Sequence, residues 1–324
     1  MAIEKLSLKT LPLHKGKRLD QVLAEWLPQA TGEPHFSKGK VRKLIVAGAV
    51  YLNGKRVRIA SKPVQLGAKI EVFLDREKLK NSVSSAPRNL ADADILYEDE
   101  SLILVNKPPG LPTQPTLDEA RDNLFAAVKR YLKSKGASDP YVGLHHRLDR
   151  DTSGVLLLTK RPEANAGIAK QFSTHEIQKV YQALTSFPLD GKKPEKNWRV
   201  KNYLRKVSEG KKAKWGSVRS GGDYADTDFV LLESFSEGLL VQAMPHTGRT
   251  HQIRVHLSEM GLPILGDKTY GGSPAADRVM LHAFSLTFIH PITNLKISVE
   301  SPIPEDFEQC RQALSRGSKK TVRS

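Results

Sequence analysis

The sequence predicts an α+β protein in which a small basic N-terminal module precedes a larger domain with a mixed, largely antiparallel sheet. After residue 93, strand-like segments follow one another with few helices between them, unlike the regular alternation of a doubly wound sheet. Residues 77–92 are rich in Ser, Asn, Lys and Pro and lack apolar periodicity, which is typical of a linker. The length of 324 residues also suits two domains of ordinary size.

Positive charge is concentrated at the two ends of the chain. The net charge is +16, of which residues 1–80 carry +10 and residues 311–324 carry +5, so the segment between them is nearly neutral. Because Lys and Arg neutralise phosphates, this distribution favours an enzyme core held on a polyanion by basic appendages. Solubility alone would not concentrate the charge in this way. We predict a module over 1–76, a linker over 77–92, a catalytic domain over 93–310 and a basic tail over 311–324.

Several protein classes are excluded by composition. Cys310 is the only cysteine, so neither an intramolecular disulfide framework nor a cysteine-based zinc site is predicted. The chain has no apolar run long enough for a signal peptide or a membrane span. We therefore expect a soluble, cytoplasmic protein that acts as a monomer and has no membrane contact.

The N-terminal module begins with two predicted helices. Apolar residues recur at helical spacing over 18–27, and Pro28 is expected to end or follow that helix. Ser37 can cap a second helix, and Gly48 is a natural stop for it. The second helix should present its basic side chains largely to the outside: Lys38, Lys40, Arg42 and Lys43.

Strands complete the module. Asn53 and Gly54 are typical of a two-residue hairpin turn, and they predict a hairpin between 50–52 and 55–59. A further strand is predicted over 69–74. The module is therefore predicted as a small α+β unit whose second helix and hairpin are both basic.

The elements of the larger domain follow from the spacing of apolar residues. Strands are predicted at 102–106, 154–160, 179–186, 229–235, 239–244, 281–290 and 296–301. Helices are predicted at 124–135, 164–173, 249–260 and 304–315. Trp198 and Trp215 lie among basic residues, and we expect them to pack beneath a solvated hairpin and not to stack on bases.

One polar segment runs directly into a predicted buried strand. Residues 143–154 contain two His, two Arg and two Asp before the apolar run 155–158. A rigid strand fixes the positions of groups that precede it, as a site requires. A carboxylate beside arginines, such as Asp149, stays ionised. The local pattern alone fits equally well a salt-bridged loop that caps the strand.

A second polar segment carries five cationic or imidazole side chains within residues 246–256. Its histidines are five residues apart, whereas the four-residue spacing that places two ligands on one helix face is missing, so no metal site is predicted. Neither a P-loop nor a GxSxG nucleophile elbow is present. Arginines in this arrangement favour a cradle for nucleic-acid phosphates.

The string His-Arg-Leu-Asp-Arg-Asp-Thr-Ser-Gly at 146–154 resembles the signature of the RluA family of pseudouridine synthases. Three further blocks resemble the family's motifs in the same order, at 106–111, 179–183 and 248–256. The resemblance spans roughly residues 94–304 and implies the pseudouridine synthase fold and the isomerisation of uridine in a structured RNA without any cofactor.

The resemblance also implies roles for individual residues. Asp149 matches the catalytic aspartate, Arg254 the arginine that pairs with it, and Tyr181 the tyrosine that stacks on the base and could take the final carbon-bound proton. That proton transfer requires a lowered tyrosine pKa or a concerted step. Arg147 matches the arginine that fills the space of the flipped-out nucleotide. Further RNA contacts are predicted at Thr152, Arg249 and His251.

The N-terminal module resembles the S4-type RNA-binding domain. The resemblance rests on Arg18-Leu-Asp20, on Ser37-Lys38 with the basic helix that follows, and on the segments 48–54 and 67–70. It implies RNA contacts on the second helix, through Lys38, Lys40, Arg42 and Lys43.

Two other hypotheses about function stay open. The same fold could serve a catalytically silent RNA-binding or ribosome-assembly protein, or an unrelated hydrolase could use Asp149 with a metal. The presence of Asp149, Tyr181 and Arg254 together favours the enzyme. The S4-type module and the basic tail favour large-subunit ribosomal RNA as its substrate, with transfer RNA as the alternative.

Overall fold

The computed structural model describes residues 3–32, 38–46, 48–75, 87–115, 122–187, 193–208 and 214–316. The chain forms two compact units. The first comprises Met1–Arg88 with Pro115–Asn123, and the second comprises Asn89–Gln114 with Leu124–Ser324. Within the described ranges, no helix has the length and apolar character needed to cross a membrane.

Over its described residues, the first unit contains a four-stranded sheet and two α-helices. Its strands are β1 (Ile3–Lys9), β2 (Val50–Leu52), β3 (Lys55–Arg56) and β4 (Lys69–Asp75), in the order β1-β4-β2-β3. Its helices are α1 (Leu19–Thr31) and α2 (Lys38–Val46), which bury apolar side chains against the sheet. The predicted hairpin is present, and Asn53 and Gly54 have the positive φ angles of 49° and 75° that its tight turn requires.

Two details of the first unit differ from the prediction. Helix α1 does not end at Pro28, which lies inside it, but continues to Gly32 in the left-handed conformation. Leu23 and Leu27 are fully buried in the core, and this packing stabilises the last turns despite the proline. Strand β1 lies outside the predicted elements, although its apolar and charged or polar residues alternate. Gly48 does follow α2, with φ of 79°, whereas the predicted cap Ser37 lies outside the described residues.

The second unit is built on an eleven-stranded sheet in the order β11-β10-β12-β13-β9-β14-β8-β6-β5, with β15 beside β14 and β7 beside β8. All the pairings are antiparallel except that between β8 and β14. This confirms the predicted mixed, largely antiparallel sheet. The strands are β5 (Ile95–Glu98), β6 (Leu102–Lys107), β7 (Gly143–Leu144), β8 (Ser153–Thr159), β9 (Gln178–Thr185), β10 (Asn197–Lys206), β11 (Trp215–Val218), β12 (Asp223–Ser234), β13 (Leu239–Pro245), β14 (Leu281–Ile289) and β15 (Lys296–Glu300).

Helices cover this sheet. They are α3 (Leu124–Ser134), α4 (Glu163–Ser173), α5 (Gln252–Glu259) and α6 (Glu305–Arg316). Strand β8 is buried along its whole length because its side chains alternate between two cores. Leu156 and Leu158 pack in the same cluster as α3, while Val155 and Leu157 pack in the cluster of α4. The central strand that follows the polar segment is therefore fixed from both faces.

The second unit extends beyond the predicted limits of 93–310. Leu90 is buried in the cluster around α3, so the end of the predicted linker belongs to this unit. Helix α6 passes residue 310 and buries Leu314, so a basic tail can begin only after Arg316. Residues 77–86 of the predicted linker and residues 317–324 lie outside the described residues.

The predicted strands and helices of this unit are all present within a few residues, and the remaining strands were missed. Strands β10 and β11 carry so many charged residues that no apolar run marks them. The two tryptophans on them do pack inward as expected. Trp198 stacks on Phe229 with ring centroids 5.3 Å apart, and Trp215 packs against the buried cluster of Leu204, Ala225, Val255 and Tyr270.

Candidate active site

Asp149 lies in the loop between β7 and β8, and buried contacts hold this loop in place. Lys107 is fully buried, and its ammonium donates to the backbone oxygens of Pro108, Leu111 and Arg150 at 2.9–3.0 Å. Such a buried cation is stabilised by the carbonyl oxygens around it. The lysine thereby ties the loop after β6 to the loop that carries Asp149.

Gly154 explains why the loop can enter the sheet at this point. Its φ angle is 115°, and a Cβ atom on it would lie 2.2 Å from the backbone oxygen of Ala283. This residue lies where β8 and β14 run parallel, with Gly154 opposite Ala283. Any larger residue would push the two strands apart and displace the loop that connects Asp149 to β8.

Arg254 on α5 joins two carboxylates. Its Nε and Nη2 donate to the two oxygens of the fully buried Asp267 at 2.7 and 2.9 Å, and its Nη1 donates to Asp149 Oδ2 at 2.9 Å. Burial alone would lower the pKa of the Arg254 guanidinium, but its bonds to the two carboxylates leave that pKa raised above the ordinary value. Arg254 is therefore a permanent cation that orients the carboxylate of Asp149.

His251 also lies close to the Asp149 carboxylate. Its Nε2 lies 3.6 Å from Asp149 Oδ2, and its Nδ1 lies 2.9 Å from the Tyr270 hydroxyl. Burial lowers the pKa of His251, although Asp149 acts in the opposite direction. His251 has a φ angle of 58°, which is unusual for a residue other than glycine and is concentrated at functional sites.

Tyr181 projects from β9 toward the same place. Burial, with a smaller contribution from the charge of Asp149, raises the pKa of the Tyr181 hydroxyl above its usual value. In the protein without RNA this residue is therefore a protonated tyrosine. The lowered pKa that a simple base role would require is absent, which leaves stacking or a concerted proton transfer.

These groups surround a cavity of about 610 Å³. The predicted site residues that line it are Asp149, Tyr181, Arg254, Arg147, Thr152, Arg249 and His251. Arg147 is exposed, whereas Thr152 is buried and donates its backbone N–H to the backbone oxygen of Asp149 at 3.2 Å. Arg249 Nε donates to the backbone oxygen of Tyr224 at 2.8 Å. The volume lies within the range of pockets that hold a nucleotide-sized ligand.

The four predicted RNA contacts on α2 belong to the first unit and differ in their surroundings. Lys38 is exposed, Lys40 is partly buried, and the side chain of Lys43 lies outside the described part of the chain. Arg42 donates to the fully buried Asp20 at 2.7 Å, and Arg18 donates to the same carboxylate at 3.0 Å. The pKa of Asp20 is lowered to about 2 by its bonds to Arg18 and Arg42. Arg42 is thus partly committed to the fold of the module.

Sequence reasoning did not identify three residues of the site. Lys107 lies inside the motif at 106–111 and Asp267 follows the motif at 248–256, but their partners are distant in sequence and only the fold reveals them. Lys179 also lines the cavity, where its ammonium donates to the Thr247 backbone oxygen at 3.1 Å. Burial lowers the pKa of Lys179 to about 8.

The histidines outside the cavity centre have structural surroundings. His146 stacks on Phe172 and accepts the Leu157 backbone N–H at 3.0 Å, and burial lowers its pKa to about 3. His282 is fully buried, lies 3.0 Å from Ser153 Oγ, and has its pKa lowered to about 4 by burial. Over the described ranges, no three His, Cys, Asp or Glu side chains converge as metal ligands would.

Comparisons with known proteins agree with this arrangement. Residues 101–259 match the family model of RNA pseudouridylate synthase, and residues 17–70 match that of the S4 domain. A ribosomal large subunit pseudouridine synthase D from Xylella fastidiosa is 32% identical, over 94% of this chain and 90% of that protein. The Haemophilus influenzae protein of the same name is 29% identical over 95% and 94% of the two chains. Among solved structures, human RNA pseudouridylate synthase domain containing 4 has a TM-score of 0.55 and 26% identity, covering 68% of this chain and 92% of that one.

Proposed function

The chain belongs to the RluA family of RNA pseudouridine synthases, and we propose that it isomerises uridines of large-subunit ribosomal RNA with Asp149 as the catalytic carboxylate. The observation that carries the residue assignment is the convergence of Asp149, Arg254 and Tyr181 on one cavity. These residues come from a loop, a helix and a strand that are far apart in sequence.

The chemistry suits this set of groups. Pseudouridine formation breaks the bond between the ribose C1′ and the uracil N1, turns the base, and joins C1′ to C5, from which a proton departs. The reaction changes no oxidation state and requires no energy input, so side chains suffice and we propose no cofactor. Asp149 supplies the carboxylate, whether it attacks the sugar or the base or removes a sugar proton. Arg254 holds that carboxylate in place through a charged hydrogen bond.

Substrate binding is assigned to the groups around the cavity mouth. Arg147 is exposed, and no described residue forms an ion pair with it, so it is free to occupy the space of a flipped-out nucleotide. Arg249, Thr152 and His251 lie along the same cavity and suit contacts with the nucleotide and its phosphates. Lys38 and its neighbours on the N-terminal module add a second, sequence-independent attraction for phosphates.

The choice of ribosomal RNA rests on the relatives, several of which are named for the large ribosomal subunit. The net charge of +16 and the S4 domain agree with a large, structured RNA. Since one chain supplies every proposed catalytic group, we infer that the enzyme acts as a monomer. We place its activity in the cytoplasm, with the ribosomal RNA.

The decisive test is pseudouridine mapping of total RNA from cells with and without the gene for this protein. We expect specific sites in large-subunit ribosomal RNA to lose pseudouridine and to regain it when the wild-type gene is restored. Loss of sites only in transfer RNA would redirect the substrate assignment. An unchanged map together with defective ribosome assembly would support a silent RNA-binding role instead.

A further inference from the structure

Two exposed tyrosines meet on neighbouring strands of the second unit. Tyr203 of β10 lies opposite Tyr224 of β12, and the ring centroids are 5.8 Å apart at an interplanar angle of 62°. Their side chains are 47% and 40% exposed, which is unusual for large aromatic residues at the surface of a sheet. The pair offers aromatic surface to a ligand.

Two cations flank this pair. Lys201 and Arg205 are two residues before and after Tyr203, so strand alternation places them on the same face, and both are exposed. No ion pair to either is found among the described residues, whereas Arg199 of the same strand is bound to Asp226 and Asp228 at 2.7 and 3.3 Å. Two positive charges therefore remain beside the rings without protein partners in the described ranges.

The tyrosine pair adjoins the rim of the cavity. Arg249, which lines the cavity, donates to the backbone oxygen of Tyr224 at 2.8 Å. The backbone of Arg249 is itself held in place, because its N–H donates to the side-chain oxygen of Gln252 at 2.9 Å. A strand of RNA whose target nucleotide enters the cavity thus has only a short path to Tyr224.

We propose that Tyr203, Tyr224, Lys201 and Arg205 form a second RNA contact, which stacks unpaired bases beside the target uridine and binds the neighbouring phosphates. This proposal rests on the proposed function. Aromatic rings next to cations are the combination that single-stranded nucleic acid recognises, because every base has a face to stack and every linkage carries a charge. Cross-strand packing of the two tyrosines would by itself stabilise the pairing of β10 with β12, but that packing does not require the two exposed cations.

The contact can be tested in the full-length protein with the ribosomal RNA fragment found by mapping. For Tyr203→Ala and Tyr224→Ala we expect the Kd and KM for the fragment to rise roughly tenfold, with the saturating single-turnover rate unchanged. Tyr203→Phe, which keeps the ring, should bind like the wild type. Lys201→Gln with Arg205→Gln should reduce the salt dependence of binding by up to about 0.7 per lost phosphate contact on a single strand.

Two controls separate this proposal from protein folding and from the proposed function. Tyr141→Ala removes a tyrosine of similar exposure, 40%, that is not part of the pair, and it should leave the Kd unchanged. If Tyr203→Ala lowers the thermal midpoint, Tyr203→Leu, which keeps most of the apolar area, should still bind weakly. Wild-type isomerisation of the fragment is measured separately, since its failure would overturn the proposed function. Affinities and salt slopes equal to those of the wild type in all these variants would overturn the second contact alone.

Discussion

Arg254 and Asp267 form a buried two-bond ion pair that leaves the remaining Nη1 of Arg254 directed at Asp149. The geometry is specific, because a guanidinium held along one edge has little freedom to turn. Asp267 also accepts the backbone N–H of Thr269 at 3.1 Å, so it is itself held by the loop after α5. The orientation of Asp149, the proposed catalytic carboxylate, thus depends on a residue that is not among those lining the cavity.

Replacement of Asp267 with Asn should therefore impair both activity and folding. The guanidinium would lose a buried counter-charge, and breaking such a pair costs about 3–5 kcal/mol. We expect a fall of at least about tenfold in the single-turnover rate, since Arg254 would no longer be aimed. Urea unfolding and single-turnover assays measure the two effects.

Asp306→Asn is the matched control for this change. Asp306 accepts two bonds from Arg278, but its side chain is 46% exposed, and Arg278 also donates to the backbone oxygens of Asp151 and Val279. The loss of Asp306 should therefore destabilise the protein less than the loss of Asp267 and leave the rate unchanged. Equal behaviour of the two variants would show that the Arg254–Asp267 pair has no special role.

Asp149→Asn should abolish isomerisation and leave RNA affinity nearly intact. The amide keeps the size of the side chain but cannot act as a nucleophile or base, so we expect a loss of ~10³-fold or more in the rate. Asp151→Asn is the control, because Asp151 is bound to Arg150 at 2.8 and 2.9 Å and is not among the residues that line the cavity. A residual Asp149→Asn activity within tenfold of the wild type would remove Asp149 from the catalytic role.

Tyr181→Phe should slow the reaction by a factor that does not change with pH. Because the pKa of Tyr181 is raised, its hydroxyl stays protonated between about pH 6 and 9 in the folded protein without RNA, as it does in the unfolded chain. The ratio of wild-type to variant rates, of order 10² if the hydroxyl takes part in a concerted transfer, should be flat over that interval.

The matched control for this experiment is Tyr131→Phe, a buried tyrosine of α3 whose hydroxyl donates to Asp92 at 3.1 Å. It should leave the rate as in the wild type. A rate ratio that grows tenfold with each pH unit would indicate that a tyrosinate at Tyr181 is the active form.

Arg42 and Lys38 should behave differently although both belong to the basic helix α2. Arg42→Gln removes a partner of the buried Asp20, so we expect the N-terminal unit to unfold at lower temperature. Lys38→Gln exposes no buried charge, and it should weaken RNA binding and its salt dependence without altering stability. Thermal unfolding and salt-series binding of both variants distinguish the two roles, and equal melting behaviour would contradict this assignment.

The sequence predicted the elements with regular apolar spacing and missed those defined by their neighbours. Strand β8 can be predicted from its unbroken apolar run. Strand β10 exposes alternate residues, and its pairing with β11 and β12 is what defines it as a strand. Local pattern carries no information about which strand will cover a polar edge.

The site divides in the same way. Asp149, Tyr181 and Arg254 could be proposed as site residues from the sequence because their motifs are contiguous strings. The functions of Asp267 and Lys107 depend on distances across 13 and 43 residues, to Arg254 and to the oxygen of Arg150. Folding brings such pairs together, so spacing in the chain cannot predict them. The commitment of Arg42 to Asp20 was missed for the same reason, since a basic helix face gives no sign of a buried carboxylate beneath it.

The charge of Lys179 should lower the stability of the folded protein but strengthen substrate binding. Its ammonium is largely buried in the cavity wall and donates to one backbone oxygen, and burial alone accounts for the lowering of its pKa to about 8. A lysine pKa lowered from about 10.5 to that value corresponds to a destabilisation of at most about 3 kcal/mol at neutral pH. An RNA phosphate or carbonyl oxygen in the cavity would supply the missing partner. We therefore expect Lys179→Met to raise the thermal midpoint by a few degrees and to weaken substrate binding.

The pH dependence distinguishes this cause from simple repacking. Below about pH 8 Lys179 is charged in both the folded and the unfolded chain, so its destabilising effect is complete. Between about pH 8 and 10.5 the unfolded chain retains the proton that the folded chain has lost, and the effect diminishes as pH rises. The stability advantage of Lys179→Met over the wild type should accordingly shrink through that interval. Lys160→Met is the control, because Lys160 is paired with Glu98 at 2.5 Å and its removal should lower stability. If the stability advantage of Lys179→Met stays constant from pH 7 to about pH 10, the gain comes from packing and not from the loss of the charge. If Lys179→Met is instead less stable than the wild type at neutral pH, groups within the protein already stabilise the Lys179 ammonium.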